Sequence, residues 1–391
     1  SDNGDINLMP YFEGLDFVTK WFPTIPVDND MYPEMRATLD ELRFGAFQNS
    51  IIKYLLPEME YELKRDLIRI GKEHILEETT ENFKNLLEIG PVCKQYMDPR
   101  DKMSEMLISC PQRPFSARIV SIQCSPANGA PLVMVYLDQF GVVCASDLLP
   151  SRAMATKQIT ISKFLNLHKP DIILINSSGA IVAKATQAMI DRHILPTLLE
   201  NAENIRLEKI KRRNDDDIDY DSDIEDEVPW QPETIILKDD ISEIFKNSER
   251  GKKMFPDYLP VMRAAICLGR YAQEPLSEFC NLWTSASGDG KFGYEALFLK
   301  LHPMLNWTKS IRDQLLSSLE RVLVNAVCDV GVDINGVLQY DHLSSMLAFV
   351  GGLGLRKANM LRSSIREKIK NVTSRVQLLE RRLLKLNVWT N

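Results

Sequence analysis

The sequence contains no Cys-x-x-Cys pair, and its seven cysteines (93, 110, 124, 144, 267, 280 and 328) are scattered and odd in number. That argues against a zinc ribbon or a disulfide framework and fits a reducing compartment. It also lacks any apolar run near the roughly 18 residues of a membrane span. Its best short run, Ile172 to Ile175, is strand-sized. An excess of positive charge is missing too, because 47 basic side chains face 54 acidic ones for a net −7 at pH 7. Any cationic surface must therefore be local.

What is present is ordinary globular material: 391 residues, 45% hydrophobic and 26% charged, enough for two or three domains. The first residue is Ser, not Met, so the sequence is expected to be a piece of a longer chain.

Residues 1–113 read as a helical region. From Pro33 onward apolar residues recur, mostly at spacings of three and four: Leu39, Leu42, Phe44, Phe47, Ile51, Tyr54 and Leu55, then Met59, Leu63, Leu67, Ile70 and Ile75. This is the period of an amphipathic helix, with Pro57 as a kink or break. A third helical stretch is expected around Phe83 to Ile89, ending at Gly90-Pro91.

Residues 114–245 change period. Ser116 to Cys124 and Leu132 to Leu137 are strand-like, and a Gln139-Phe140-Gly141 turn leads into a third strand from Val142 to Ala145. A helix through Ile161, Phe164 and Leu165 precedes Asp171 to Asn176 (DIILIN), a run suited to a strand covered on both faces. A helix over Ala180 to Leu199 and a last strand, Glu233 to Leu237, follow. The order β-β-β-α-β-α-β is that of the ribonuclease H-like fold. An insertion near 209–232 holds KIKRR and then DDDIDYDSDIEDE, where nine of thirteen residues are acidic; a solvated loop is expected. Its Asp spacing resembles a calcium loop but lacks that loop's glycine and closing Glu.

Nucleases of this fold hold two divalent metals between carboxylates on the first strand, beyond the fourth strand and on the last helix. Here the first strand offers Gln123, Cys124 and Ser125, and DIILIN ends in Asn176, Ser177 and Ser178. Only the third place has acids, Asp239, Asp240 and Glu243, which argues against catalysis and calls for no metal and no cofactor. The alternative is a metal-dependent nuclease or Holliday-junction resolvase using a displaced set such as Asp171, Asp239 and Asp240.

After a helical connector, 246–325, residues 326–391 carry the most specific motif. Val350 to Ala358, VGGLGLRKA, has the helix-hairpin-helix pattern: apolar, Gly, apolar, Gly, three variable positions, Ala. Gly352 and Gly354 permit a tight turn, and amides from about Leu355 face a phosphate. Arg356 and Lys357 add charge. Such a site reads backbone and not bases. The competing reading is a turn used only for packing. Val327 to Asn335, VCDVGVDIN, looks like a degenerate partner hairpin without the second Gly or the basic pair. From Arg356 to Lys385 ten Lys and Arg face two acids, a local +8. Ser287 to Gly293, SGDGKFG, imitates a phosphate loop but puts Phe292 after its lysine.

This combination resembles the bacterial Tex-type transcription factor core, and more closely the eukaryotic Suppressor-of-Ty (sixth of the series) family of transcription elongation factors and histone chaperones. Phe255 to Pro275, Asn325 to Asn335, Phe349 to Ala358 and the YLLPEMEYELKRDL of Tyr54 to Leu67 carry the likeness. The resemblance implies a helical scaffold, a YqgF-type ribonuclease H-like domain without catalysis, and a helix-hairpin-helix domain. It further implies a nuclear protein that works with RNA polymerase II, histones, nucleic-acid backbone and other elongation factors, and not with membrane.

Overall fold

The computed structural model describes residues 33–92, 117–125, 131–150, 154–215, 230–283, 294–303, 309–369 and 371–384. The phosphate-loop imitation at 287–293 and most of the acidic insertion lie outside them. The chain divides into two units, Ser1–Ile75 and Leu76–Asn391.

From the first unit α1 (Pro33–Ser50) passes through a π-helical turn, Ile51–Leu55, into α2 (Leu56–Leu87), whose residues from Leu76 on belong to the second unit. Proline explains the wide turn. Pro57 has no N–H to give the carbonyl four residues back, and its ring crowds that carbonyl, so the helix loosens there without ending. The separate helix expected near Phe83 is instead the end of α2, because a lone Gly71 costs only about 1 kcal/mol, too little to stop a helix. Leu42, Tyr54, Leu63 and Leu67 are each more than half exposed. Ion pairs at Glu60–Lys64 and Arg69–Glu73 line the same helix.

The larger unit is mostly helical around a small mixed sheet. Strands β1 (Ile119–Gln123), β2 (Leu132–Leu137), β3 (Val143–Leu149), β4 (Ile172–Asn176) and β5 (Glu233–Leu237) lie in the order β3-β2-β1-β4-β5. The β1–β2 and β2–β3 pairs are antiparallel, while β1–β4 and β4–β5 are parallel. The third strand runs four residues beyond its expected end at Ala145, because its pairing with β2 continues to Leu149 opposite Leu132. Helix α3 (Met154–His168) leads into β4. After it, α4 (Ala180–Met189), a second π turn (Ile190–Ile194) and α5 (Leu195–Asp215) form one continuous rod. Here Pro196 follows the π turn just as Pro57 follows the first. The rod outruns the expected end at Leu199 and takes up Lys209 to Arg213, which have good helix propensity.

Alternation across the pleat explains why β1 and β4 are wholly apolar or buried. Val120, Ile122, Ile173 and Ile175 pack with Ile161, Ala183 and Ile190 on one face, whereas Ile119, Ile172 and Leu174 meet Ala272 on the other. Ala272 belongs to α8 (Pro260–Gln273), buried from Arg263 onward and preceded by α6 (Asp240–Asn247) and α7 (Glu249–Met254). Gly269 lets α8 lie on the sheet, since a Cβ there would stand 2.2 Å from Leu137.

Beyond α8 come α9 (Pro275–Asn281), a 3-10 helix (Tyr294–Phe298), α10 (Lys309–Val330), α11 (Ile334–Gln339), a 3-10 helix (Asp341–Phe349), α12 (Gly354–Lys368) and α13 (Val376–Glu380). One apolar core joins Phe83 of α2 to Phe279, Leu319, Val327 and Phe349. Polar pins fix the same junctions. Arg270 donates to the Gly141 carbonyl, Gln273 to those of Ala117 and Asp138, and Ser277 and Asn281 to that of His342. The sheet and the C-terminal helices are thus held by a shared scaffold.

Candidate nucleic-acid interface

Two places in the larger unit carry the polar chemistry singled out in the sequence. The first is the edge where β1 and β4 end and α6 begins. Asn176, fully buried, accepts from the Cys124 amide at 2.6 Å and donates to the Cys124 carbonyl at 3.0 Å and to Asp239 Oδ2 at 3.1 Å. Ser177 and Ser178 also donate to the Asp239 carboxylate. The buried acid is therefore surrounded by donors, which satisfies it without an ion. Burial also pushes the Cys124 thiol up, which favours its neutral form.

The displaced acids do not come together. Asp171 stands at the opposite end of β4, where it takes the Arg118 amide and guanidinium at 2.8 to 3.1 Å. At about 3.3 Å per strand residue Asp171 and Asn176 are roughly 17 Å apart along the strand. Asp240 pairs with Lys300 at 3.5 Å. No group of three or more potential metal-ligating side chains occurs among the described residues.

The second place is the pair of turns in the C-terminal helices. At the second turn the chain leaves the 3-10 helix at Val350 and enters α12. The helix before the turn is a 3-10 helix. Gly352 (φ +85°) and Gly354 (φ +65°) both occupy the left-handed region that favours glycine. Leu353 and Ala358 turn inward, 7% and 2% exposed, into a core with Leu361 and Ile365, so Ala358 lets α12 approach. This packing aims Gly352, Gly354, Arg356 and Lys357 outward, with Leu355 half-buried between them. No side chain caps α12, and the first amides of any helix lack intrahelical acceptors. Lys357 Nζ donates to the Gly352 carbonyl at 2.9 Å, which holds its charge over the turn.

The first turn uses Gly331 (φ +83°) between α10 and α11. There Asp333 caps α11, accepting from the Asn335 and Gly336 amides at 3.0 and 3.1 Å. An Asp directly before a short helix is the sequence signal of this cap. The local +8 of residues 356–385 includes Arg362 and Arg366. Arg362 Nε donates to the Val337 carbonyl at 3.0 Å, and Arg366 donates twice to that of Leu338 at 3.1 and 2.6 Å. Both also bind Asp341. These two cations close the C-terminal end of α11, Arg362 largely buried and Arg366 still half exposed, so part of this charge is engaged within the fold.

An uncapped helix start behind two left-handed glycines, flanked by exposed cations, defines a helix-hairpin-helix region. The family model described as a helix-hairpin-helix motif matches residues 294–391. The chain is 36% identical over 156 residues to the transcription elongation factor SPT6 of Candida albicans, an alignment covering 39% of this chain and 10% of that protein. It is 24% identical to the spt6 of Emericella nidulans over 100% of this chain and 25% of the relative. The SPT6 homolog of Arabidopsis thaliana is 25% identical, over 83% of this chain and 18% of that protein. The resemblance drawn from the sequence stands: the chain is similar to a core region of the SPT6 transcription elongation factors. It spans between 10% and 25% of the length of these three relatives.

Proposed function

We propose that this chain is the non-catalytic core of a nuclear transcription elongation factor and histone chaperone, and that it holds nucleic acid by its backbone at the second hairpin. End-to-end similarity to proteins named transcription elongation factors supports the elongation role. RNA polymerase II, histones and other elongation factors are the partners this reading implies. The observation that carries the nucleic-acid contact is the uncapped start of α12 beside exposed Arg356 and Lys357. Within the reading, the sheet is a YqgF-type ribonuclease H-like domain. Its order, with an antiparallel β1–β2–β3 meander followed by parallel β4 and β5, supports that assignment. The Asn176–Asp239 cluster supports the absence of catalysis, because an amide and two hydroxyls meet the acid that a nuclease would give to metal.

The test is a titration of the 391-residue chain with labelled DNA over a range of salt, each mixture also checked for strand cleavage with magnesium or manganese. Binding is expected to fall with salt, and Arg356→Ala/Lys357→Ala to flatten the log–log slope by about one unit per cation removed. Unchanged binding in the double variant removes the hairpin contact, and metal-dependent cutting removes the non-catalytic reading.

A further inference from the structure

We infer that this region takes nucleic acid by one backbone strand only, through the second hairpin, because the first hairpin has filled its own phosphate position with the carboxylate of Asp333. The inference rests on the reading of the second hairpin given above.

At the first turn the amides that a phosphate would take are those of Asn335 and Gly336. Both are engaged by the two oxygens of Asp333. This anion is part of the chain, so it sits at the amides without any loss of translational freedom, and an incoming phosphate has to displace two bonds at once. The fit is close. A Cβ on residue 336 would stand 2.6 Å from Asp333 Oδ2, so glycine at that position is what lets the carboxylate lie against the turn.

Charge points the same way. The turn at Gly331 is bracketed by Asp329, which is exposed, and Asp333, where the second turn is followed by Arg356 and Lys357. Two cations of α12, Arg362 and Arg366, reach the carbonyls at the other end of α11 and Asp341. A phosphate at the first turn would meet a filled site and like charge.

Two hairpins that both accept phosphate can hold the two backbones of a duplex. One hairpin can hold one backbone, whether or not a complement is paired to it. The ligand class is therefore a single polynucleotide backbone, with no premium for duplex.

The experiment uses the 391-residue chain and two probes, a fluorescent single-stranded DNA and the duplex of the same sequence. Gly331→Asp places a further charge in the first turn, where no heavy atom lies within 4 Å of a Cβ. Gly331→Asn keeps the side-chain size without the charge and tolerates the left-handed backbone. Circular dichroism checks that each variant is folded. The wild type is expected to bind both probes alike. Gly331→Asp should differ from Gly331→Asn by no more than about twofold, the range of a neutral surface change. Arg356→Ala/Lys357→Ala should weaken both probes together. A strong duplex preference, with duplex binding lost in Gly331→Asp and kept in Gly331→Asn, overturns the inference and leaves the second-hairpin reading standing. Binding insensitive to Arg356→Ala/Lys357→Ala overturns that reading and the inference with it.

Discussion

The two turns of the C-terminal region are built from the same backbone device and end in opposite electrostatic states. Each bends at a glycine in the left-handed region, Gly331 in one and Gly352 with Gly354 in the other. Each then starts a helix whose first amides need acceptors. In the first turn Asp333 supplies the acceptors from within the chain, while in the second no side chain does. Turn geometry alone therefore does not make a phosphate site. What separates the two is whether the fold has already satisfied the amides, and which of the nearby cations it has kept for itself.

The cations of α12 give the sharpest way to break that comparison. Arg362 and Arg356 lie on one helix, yet the first caps a buried carbonyl and the second is exposed. Arg362→Ala leaves the Val337 carbonyl without this donor and Asp341 without its closest cation. The expected cost is about 1–3 kcal/mol of stability, read by denaturant unfolding. If Arg362→Ala weakens nucleic-acid binding while leaving unfolding unchanged, the division of the cations into internal and outward sets is wrong.

Gly354→Ala comes next. A side chain in the left-handed region costs about 1–2 kcal/mol, and since nothing lies within 4 Å of its Cβ the cost is backbone strain and not a clash. Binding is expected to fall with stability, because relaxing the strain re-aims the start of α12. The matching change Gly331→Ala should cost a similar amount of stability without changing the affinity of the folded protein. Equal loss of affinity in both variants would erase the distinction between the turns.

Much of this was legible in the sequence. LVMVYL and DIILIN read as strands and are strands, since a strand's identity is carried by a short local run. The glycine pattern of VGGLGLRKA likewise encodes its own backbone geometry. Local signals also announced an interruption at Pro57, though not that a π turn would carry the helix through it. The same arrangement at Pro196 went unread, because the apolar pattern there continues across the proline. What stayed hidden depends on distant partners. Arg362 and Arg366 look like solvent-facing cations until Val337, Leu338 and Asp341, from 21 to 28 residues away, are brought beside them. The role of Asp171 was hidden for the same reason. Its distance from Asp239 follows from the length of β4, but its pairing with Arg118 requires the register of β1 against β4.

The smallest expected effect concerns Asp341, where the internal set of cations meets its acid. The Arg362 hydrogen bond, reinforced by the charge of Arg362 and Arg366, holds its carboxyl below the usual carboxylate range. A carboxyl whose pKa is lowered on folding contributes stability that is complete above the unfolded value. That contribution fades as the pH falls through the folded one. The Asp341 side chain is 74% exposed, so solvent screening limits the pair to about 1 kcal/mol or less. Asp341→Asn is therefore expected to lower stability slightly near neutral pH, with the difference from wild type closing once the pH drops below the ordinary carboxylate range. Affinity for nucleic acid should not change, because Arg356 and Lys357 do not touch this acid. Were Asp341→Asn instead to strengthen binding, Arg362 and Arg366 would have been released to the outward surface. The two sets of cations would then exchange members, and the first hairpin would be a suppressed site and not a filled one.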